Sequence, residues 1–300
     1  MSYVSYSRIK KDTVEGFKEA IFESMDLANY SFAKDIENIV IKPNLCYYWD
    51  WTTGQTTDPK FIGALIELIR ERISRKVDIT VVESDASAMK TKHVFKMLAY
   101  DKLAHDYNVK LLNLSESAFN TNDVTVGKES FKIAVPEIIR NADLRINVPK
   151  IKYAMEPLKI TCALKNIFGC IPYPRKFRYH SRIEEVIVAA NKVMKSDLCI
   201  IDANIVSGAQ PRRLGLVMAS KDPVAIDTAA CHVAGIKPRG VRYIRMAHGE
   251  GVGNLQILPK GCSPNYFRNR YPRRDIRKKI LSEAYKLVTH IGLDKRLGLH

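Results

Sequence analysis

The sequence predicts an α/β fold with a mostly parallel sheet and flanking helices. Three observations predict it: short apolar, β-branched runs recur along the chain, amphipathic stretches separate them, and the two alternate. Runs 38–43 (NIVIKP), 77–83 (VDITVVE), 109–114 (VKLLNL), 144–148 (LRINV) and 197–202 (DLCIID) have the composition of strands buried on both faces. Stretches 14–27 and 59–73 carry apolar residues at three- and four-residue spacings, and 92–107 and 183–195 read similarly. Asp58 before Pro59 marks a capped helix start. Strand alternating with helix implies right-handed crossovers between parallel neighbours.

Two segments depart from that rhythm. Residues 123–135 (DVTVGKESFKIAV) read as a β-hairpin insertion, because alternating runs flank a glycine-containing turn. Residues 205–220, with Gly208, Pro211 and Gly215, form a second stretch of that kind. From Pro259 the chain turns polar and basic, and it ends in an amphipathic pattern over 276–289. The expected organisation is a single α/β domain over 1–258 and a basic helical C-terminal extension over 259–300.

With 300 residues, 46% hydrophobic and 27% charged, the chain can bury a sizeable core without disulfide staples. No apolar segment of signal-peptide type follows the first basic residues, and no apolar run approaches the roughly 18 to 20 residues that span a bilayer. A cytoplasmic protein without a membrane partner is expected. The six cysteines are scattered with no CxxC pair, so neither an iron–sulfur nor a zinc motif is present. No dinucleotide-binding or phosphate-loop glycine motif follows any of the strand-like runs, and the cofactor stays open. The 48 Lys+Arg against 32 Asp+Glu give a net charge of +16, a field that attracts small anions, nucleic acid or an acidic protein. Part of the excess is local, in 174–182 (PRKFRYHSR) and 267–279 (FRNRYPRRDIRKK).

In open α/β sheets, ligands bind beyond the carboxyl ends of the strands. The residues just after the apolar runs are therefore the candidates, and they are unusually polar: Lys42 and Asn44, Glu83 and Asp85, Asn147, Lys150 and Lys152, and Asp202. Thr57 lies just before the Asp58 cap. Lys165 and Asn166 fall in ALKNIFG (163–169), which reads as a short helix ending at a left-handed glycine. A lysine among apolar neighbours pays a desolvation cost that an anion would offset. The loop that follows interleaves Arg175, Lys176, Arg178, His180 and Arg182 with aromatic rings, with His180 as a candidate proton carrier and Arg178 as an anion contact. Glu83, Asp85 and Asp202 are candidates for a base, for orienting lysines, or for Mg²⁺ ligation. Together, Lys150, Lys152, Lys165 and His180 are expected to share one constellation.

The same residues carry a family resemblance. IKPNL (41–45), TTDP (56–59), NVPKIK (147–152), ALKNIFGCIP (163–172), RYHSRIEE (178–185), CIIDA (199–203) and SKDPVAIDTAA (220–230) are similar, in order and spacing, to landmarks of the domain of unknown function 362 family. Many members attach ferredoxin-like iron–sulfur modules, so the resemblance implies a stand-alone member and hints at redox or cofactor metabolism. Three readings follow. The first is an enzyme acting on a small carboxylate or phosphate, with Lys165, His180, Glu83 and Asp202 in catalytic roles. The second is a nucleic-acid-binding protein, and the third an accessory protein in cofactor assembly. Positive charge concentrated in one crevice favours the first, and a continuous surface stripe the second.

Overall fold

The computed structural model describes residues 1–74 and 76–274. In chain order, β1 (Ser2–Arg8), α1 (Val14–Leu27), β2 (Asn38–Pro43), α2 (Pro59–Arg72), β3 (Asp78–Glu83), α3 (Thr91–Met97), α4 (Tyr100–Asp106) and β4 (Lys110–Asn113) form the first half. A hairpin of β5 (Phe119–Val126) and β6 (Glu129–Pro136) precedes α5 (Glu137–Asn141) and β7 (Leu144–Val148). Then come the short pair β8 (Lys152–Tyr153) and β9 (Ile160–Thr161), α6 (Ala163–Phe168), α7 (Ile183–Val193) and β10 (Leu198–Val206). The last elements are β11 (Arg212–Ser220), α8 (Pro223–Val233), α9 (Arg242–Gly249), β12 (Ile257–Gly261) and α10 (Pro264–Arg268).

Eight strands form one mainly parallel sheet in the order β12-β1-β11-β10-β7-β2-β3-β4. Five of its seven ladders are parallel; only β11 runs against its neighbours β1 and β10. Alternation along the strands divides the core in two. Ile39 and Ile41 of β2, Ile146 of β7 and Ile200 of β10 pack with α1 to α4, while Val40, Cys199 and Ile201 pack with α6 to α9. Each face is thereby covered by helices, the condition under which a parallel sheet is stable.

Local chemistry places the helix starts. Thr13 accepts from Gly16 N, Asp58 from Lys60 N and Asp222 from both Val224 N and Ala225 N, so α1, α2 and α8 each begin on a side-chain cap. The helix expected over 92–107 is two helices. Ala99 adopts φ 58°, and the break turns Tyr100 into the core, where its hydroxyl donates to Thr57 O at 3.0 Å. Apolar spacing continues through Val94, Leu98 and Leu103, so the pattern hides the turn. The 123–135 hairpin forms its own two-stranded sheet, with Val124 and Ile133 in the core that also holds Val186 and Ile187 of α7.

Strand β12 crosses residue 258, the boundary expected from composition, and pairs in parallel with β1. Beyond it, Phe267 of α10 is fully buried. The expected helix over 276–289 and the basic residues after Arg274 lie outside the described residues.

The loop before α2 is fixed by a close backbone crossing. Gly54 has φ +71°, and a Cβ there would lie 2.4 Å from both Ser207 N and Val206 C. Since backbone has no room to yield, Gly54→Ala is expected to cost roughly 2–4 kcal/mol from overpacking and left-handed strain. Urea denaturation checks this: the midpoint should fall with the slope unchanged. An unchanged midpoint would show that the crossing loosens without cost.

Candidate functional site

The carboxyl ends of β2, β3, β7 and β10 meet at one edge, because these strands are mutually parallel and neighbouring. Register sets Lys42 beside Asn147. The chain then uses that pair to anchor α6: Asn147 donates to Ala163 O at 3.0 Å, and Asn166 donates to Asn147 Oδ1 at 2.8 Å and to Lys42 O at 3.1 Å. The first turn of α6 is held as well by Asp227 of α8, whose carboxylate accepts from Ala163 N at 2.7 Å and Leu164 N at 3.3 Å. Burial pushes the Asp227 carboxyl up to about 7 against these donors. Lys165 is thus carried on a short helix fixed at its start and again one turn on.

Between α6, the ends of β2 and β3 and the 44–47 loop lies a cavity of about 210 Å³. Lys42, Lys152, Lys165 and Lys176 line it with Asn44, Ser84 and Asn166, and among the described residues Glu83 is the only carboxylate in its lining. Lys42 and Glu83 form a buried ion pair at 2.7 Å; Lys42 also donates to Pro43 O at 2.7 Å. Glu83 further accepts from Ser84 N and Leu45 N. Lys176 is buried and donates to Ser84 Oγ, to Asp85 O at 3.0 Å and to Gly169 O at 3.1 Å. Lys152 donates to Gln55 O at 3.2 Å. Lys165 instead has its ammonium 4.1 Å from the centre of the Phe168 ring. Burial, with repulsion from Lys176, Lys152 and Lys42, pushes Lys165 down to about 7. Burial and repulsion from Lys42 likewise lower Lys176, to about 8.

Gly169, expected in a left-handed conformation, has φ −62°. Space explains it: a Cβ there would sit 2.8 Å from Asn166 O and 3.4 Å from Lys42 Cε. The glycine keeps room for the lysine rather than reversing the chain.

A second charged group lies deeper. Lys150 and Asp202, each about 1% exposed, pair at 3.1 Å, and Asp202 also accepts from Asp58 N at 3.0 Å and Asn204 N at 3.1 Å. The apolar run that predicted a strand end at Asp202 is outrun by β10, which continues to Val206 because β11 pairs with it there; the parallel ladder to β7 stops at Cys199. Asp202 therefore projects on the side of Leu198 and Ile200, toward α2. Burial, then the charge of Asp202, raises Asp58 to about 7, while burial pushes Lys150 down against the pull of Asp202. Asp58 Oδ2 has no hydrogen-bond partner among the described residues, which fits a carboxyl holding its proton.

The expected constellation is accordingly divided. Lys152 and Lys165 share the cavity with Lys42, Glu83, Asn44 and Asn166, whereas Lys150 is in the separate buried pair. Thr57 positions Asn44, accepting from its N at 2.9 Å and donating to Val148 O at 3.0 Å. Asp85 caps α3 through Thr91 N at 2.9 Å and pairs with Lys90 at 2.8 Å; burial opposes these hydrogen bonds, which nevertheless hold its carboxyl below the usual range. His180 and Arg178 are exposed on the turn over 176–182, outside the cavity lining. The His180 ring packs on Phe177 at 4.3 Å, and Arg178 lies between Tyr173 and Tyr179. Burial and the nearby Lys165 lower His180.

Glu83, Asp85 and Asp202 do not form one ligand set, since each is engaged by a different lysine. Among the described residues no three His, Cys, Asp or Glu side chains are grouped to hold a metal ion. Sequence reasoning placed Lys176 in the basic loop without assigning it to the site; nothing in PRKFRYHSR distinguishes it from its exposed neighbours.

A family model described as domain of unknown function (DUF362) matches residues 39–232. The thylakoid-associated protein sll1697 of Synechocystis sp. is 25% identical over 229 residues, 69% of this chain and 66% of that relative, just under two thirds of its length. Among solved structures, the lactate racemase apoprotein from Thermoanaerobacterium thermosaccharolyticum is similar with a TM-score of 0.46 at 11% identity, over 79% of this chain and 58% of that one. No helix among the described residues is long and apolar enough to cross a membrane.

Two outcomes test the electrostatics. Lys42→Met leaves Glu83 buried and unpaired, so denaturation should show a loss of about 3–5 kcal/mol, largely restored by adding Glu83→Gln. Equal stability of the single and double variants would refute the buried pair. Asp58, raised from 3.8 to about 7 in the fold, stabilises most below pH about 4 and loses that contribution as pH rises toward 7. Asp58→Asn, which can still cap α2, should flatten that decline and gain roughly 2–4 kcal/mol at pH 8. A decline of unchanged steepness would assign the titration elsewhere.

Proposed function

This chain belongs to the DUF362 family, and we propose that it is an enzyme that binds a small carboxylate or phosphate in the lysine-lined cavity at the carboxyl edge of its sheet. The observation that carries the reading is the charge imbalance of the lining: four lysines face about 210 Å³, and Glu83, the only lining acid among the described residues, already pairs with Lys42. Burial first, and repulsion from neighbouring lysines after it, lower Lys165 and Lys176, so cations held together in this partly desolvated volume lack a counter-charge. An anion of matching size would relieve that repulsion and accept charge-assisted hydrogen bonds. The volume suits a metabolite rather than a polymer strand, which favours this reading over nucleic acid.

In this reading Lys152, Lys165 and Lys176 hold the anion, Lys42 and Glu83 fix the floor, and Asn44 and Asn166 supply orienting hydrogen bonds. His180, outside the lining but lowered by burial and by the charge of Lys165, is in this reading the proton carrier that acts through solvent. The buried Lys150–Asp202–Asp58 group supports the loop that carries Asn44 and Gln55. A link to redox or cofactor metabolism is part of the proposal and rests on the family alone.

Calorimetric titration with phosphate, pyruvate and citrate tests it. Lys152→Met and Lys165→Met should weaken the best of these by about 10- to 150-fold, the equivalent of a lost charged hydrogen bond of about 1.5–3 kcal/mol. Both proteins should still melt cooperatively. Affinity for the wild-type chain should fall as pH rises above about 7, where Lys165 loses its charge. Unchanged affinity in both folded variants would overturn the assignment.

A further inference from the structure

Of the four cavity lysines, three have their ammonium groups engaged. Lys42 is bound to Glu83 and Pro43 O, Lys176 to Ser84, Asp85 O and Gly169 O, and Lys152 to Gln55 O. Lys165 makes no hydrogen bond or ion pair with the described residues. Its amine rests over the face of Phe168, whose ring is braced edge-on by Tyr179 at 5.9 Å. The helix that carries it is pinned at its start by Asp227 and Asn147 and again one turn on through its own Asn166, which donates to Asn147 and to Lys42 O. A ring face supports a cation only weakly, whereas the carboxylate and carbonyl oxygens on the other three lysines favour the charged form more strongly, so Lys165 gives up its proton most readily of the four. Geometry therefore singles out one side chain as a fixed, partly exposed amine beside a cluster of cations, the arrangement that turns a lysine into a nucleophile toward carbonyl groups.

We propose that Lys165 forms an imine with the carbonyl carbon of a small 2-oxo acid whose carboxylate is held by Lys152 in the positive field of Lys42 and Lys176. The proposal rests on the anion-site reading above and adds a covalent step to it. The Nζ lone pair attacks the carbonyl carbon, a C–N bond forms, and the carbonyl π pair moves to oxygen. Two protons leave Nζ and two arrive on that oxygen, relayed by the neighbouring ammonium groups, which end as they began. The C–O bond then breaks, water leaves and C=N remains; nothing is oxidised or reduced. The lowered affinity of Lys165 for its proton supplies the free amine near neutral pH. The neutral imine then takes up one proton from solvent at its nitrogen, and the iminium so formed withdraws electrons from the adjacent carbon, the property that opens loss of a proton or of carbon dioxide from such acids.

The test is reductive trapping of the full chain with pyruvate and sodium cyanoborohydride, followed by peptide mass spectrometry. The expected result is a carboxyethyl group on Lys165, saturating with pyruvate, suppressed by phosphate and formed at least about tenfold faster than on the exposed Lys96 or Lys128. Lys165→Arg should abolish trapping, whereas Lys96→Arg, on the exposed surface, should leave both trapping and pyruvate binding unchanged. Labelling spread evenly over surface lysines, with pyruvate still bound in a Lys152-dependent way, would overturn the imine and leave the anion site standing. Neither trapping nor binding of any of the anions would overturn both. Because localisation is read on the wild-type chain, a variant that fails to fold does not obscure the answer.

Discussion

Parallel pairing of β2 with β7, at the register that sets Lys42 beside Asn147, is the constraint on which the carboxyl edge depends. Parallel strands end together, so the polar residues that terminate them arrive at one place with their backbone ladders exhausted. Asn147 then spends its amide on Ala163 O and its carbonyl on Asn166, and α6 is drawn across the strand ends. A shift of one residue in that ladder would turn Asn147 to the opposite face and release α6. Two of the four cavity lysines, Lys165 and Lys176, are placed by where α6 and the turn after it are held.

The sheet also segregates its charges. One ionic group, Lys42 with Glu83, forms the floor of the cavity; the other, Lys150 with Asp202 and Asp58, lies toward α2 and is closed to solvent. Buried pairs of this kind contribute little net stability relative to apolar substitutes, yet they are costly to break from one side. Their effect here is geometric. The second group fixes the 54–58 turn, and through Thr57 it fixes Asn44 at the rim of the first. Two clusters that do not touch the same solvent are coupled through one loop.

Much of the architecture was legible in the sequence because it depends on composition. The apolar runs of β2, β3, β7 and β10 need both faces buried, and the polar residues after them mark where burial ends; Lys42, Glu83 and Asn147 were found by that signal. The hairpin was visible in its alternation. What escaped depends on partners distant in sequence. Asp202 looked like a strand end because its apolar run stops, but β11 prolongs the pairing. Lys150 and Lys152, two residues apart, were read together, although Asp202 draws the first away from the cavity. Lys176 is indistinguishable from Arg175 and Arg178 until Ser84, Asp85 and Gly169 surround it. The left-handed Ala99 was masked by apolar spacing that continues through it.

The placement of β1 has a consequence for how the chain is made. Residues 2–8 lie between β11 and β12, paired with Leu216 and Val217 on one side and with residues 257–261 on the other. During synthesis this first strand emerges with Val4 and Tyr6 unburied and no partner for its backbone until about 210 further residues have followed. At ordinary translation speeds that is a wait of roughly 10–40 s. Contacts of such long range close late and slowly. Strand β1 is thus among the last to be sealed into the sheet, and for that interval the nascent chain carries an open, apolar edge of the kind that chaperones recognise.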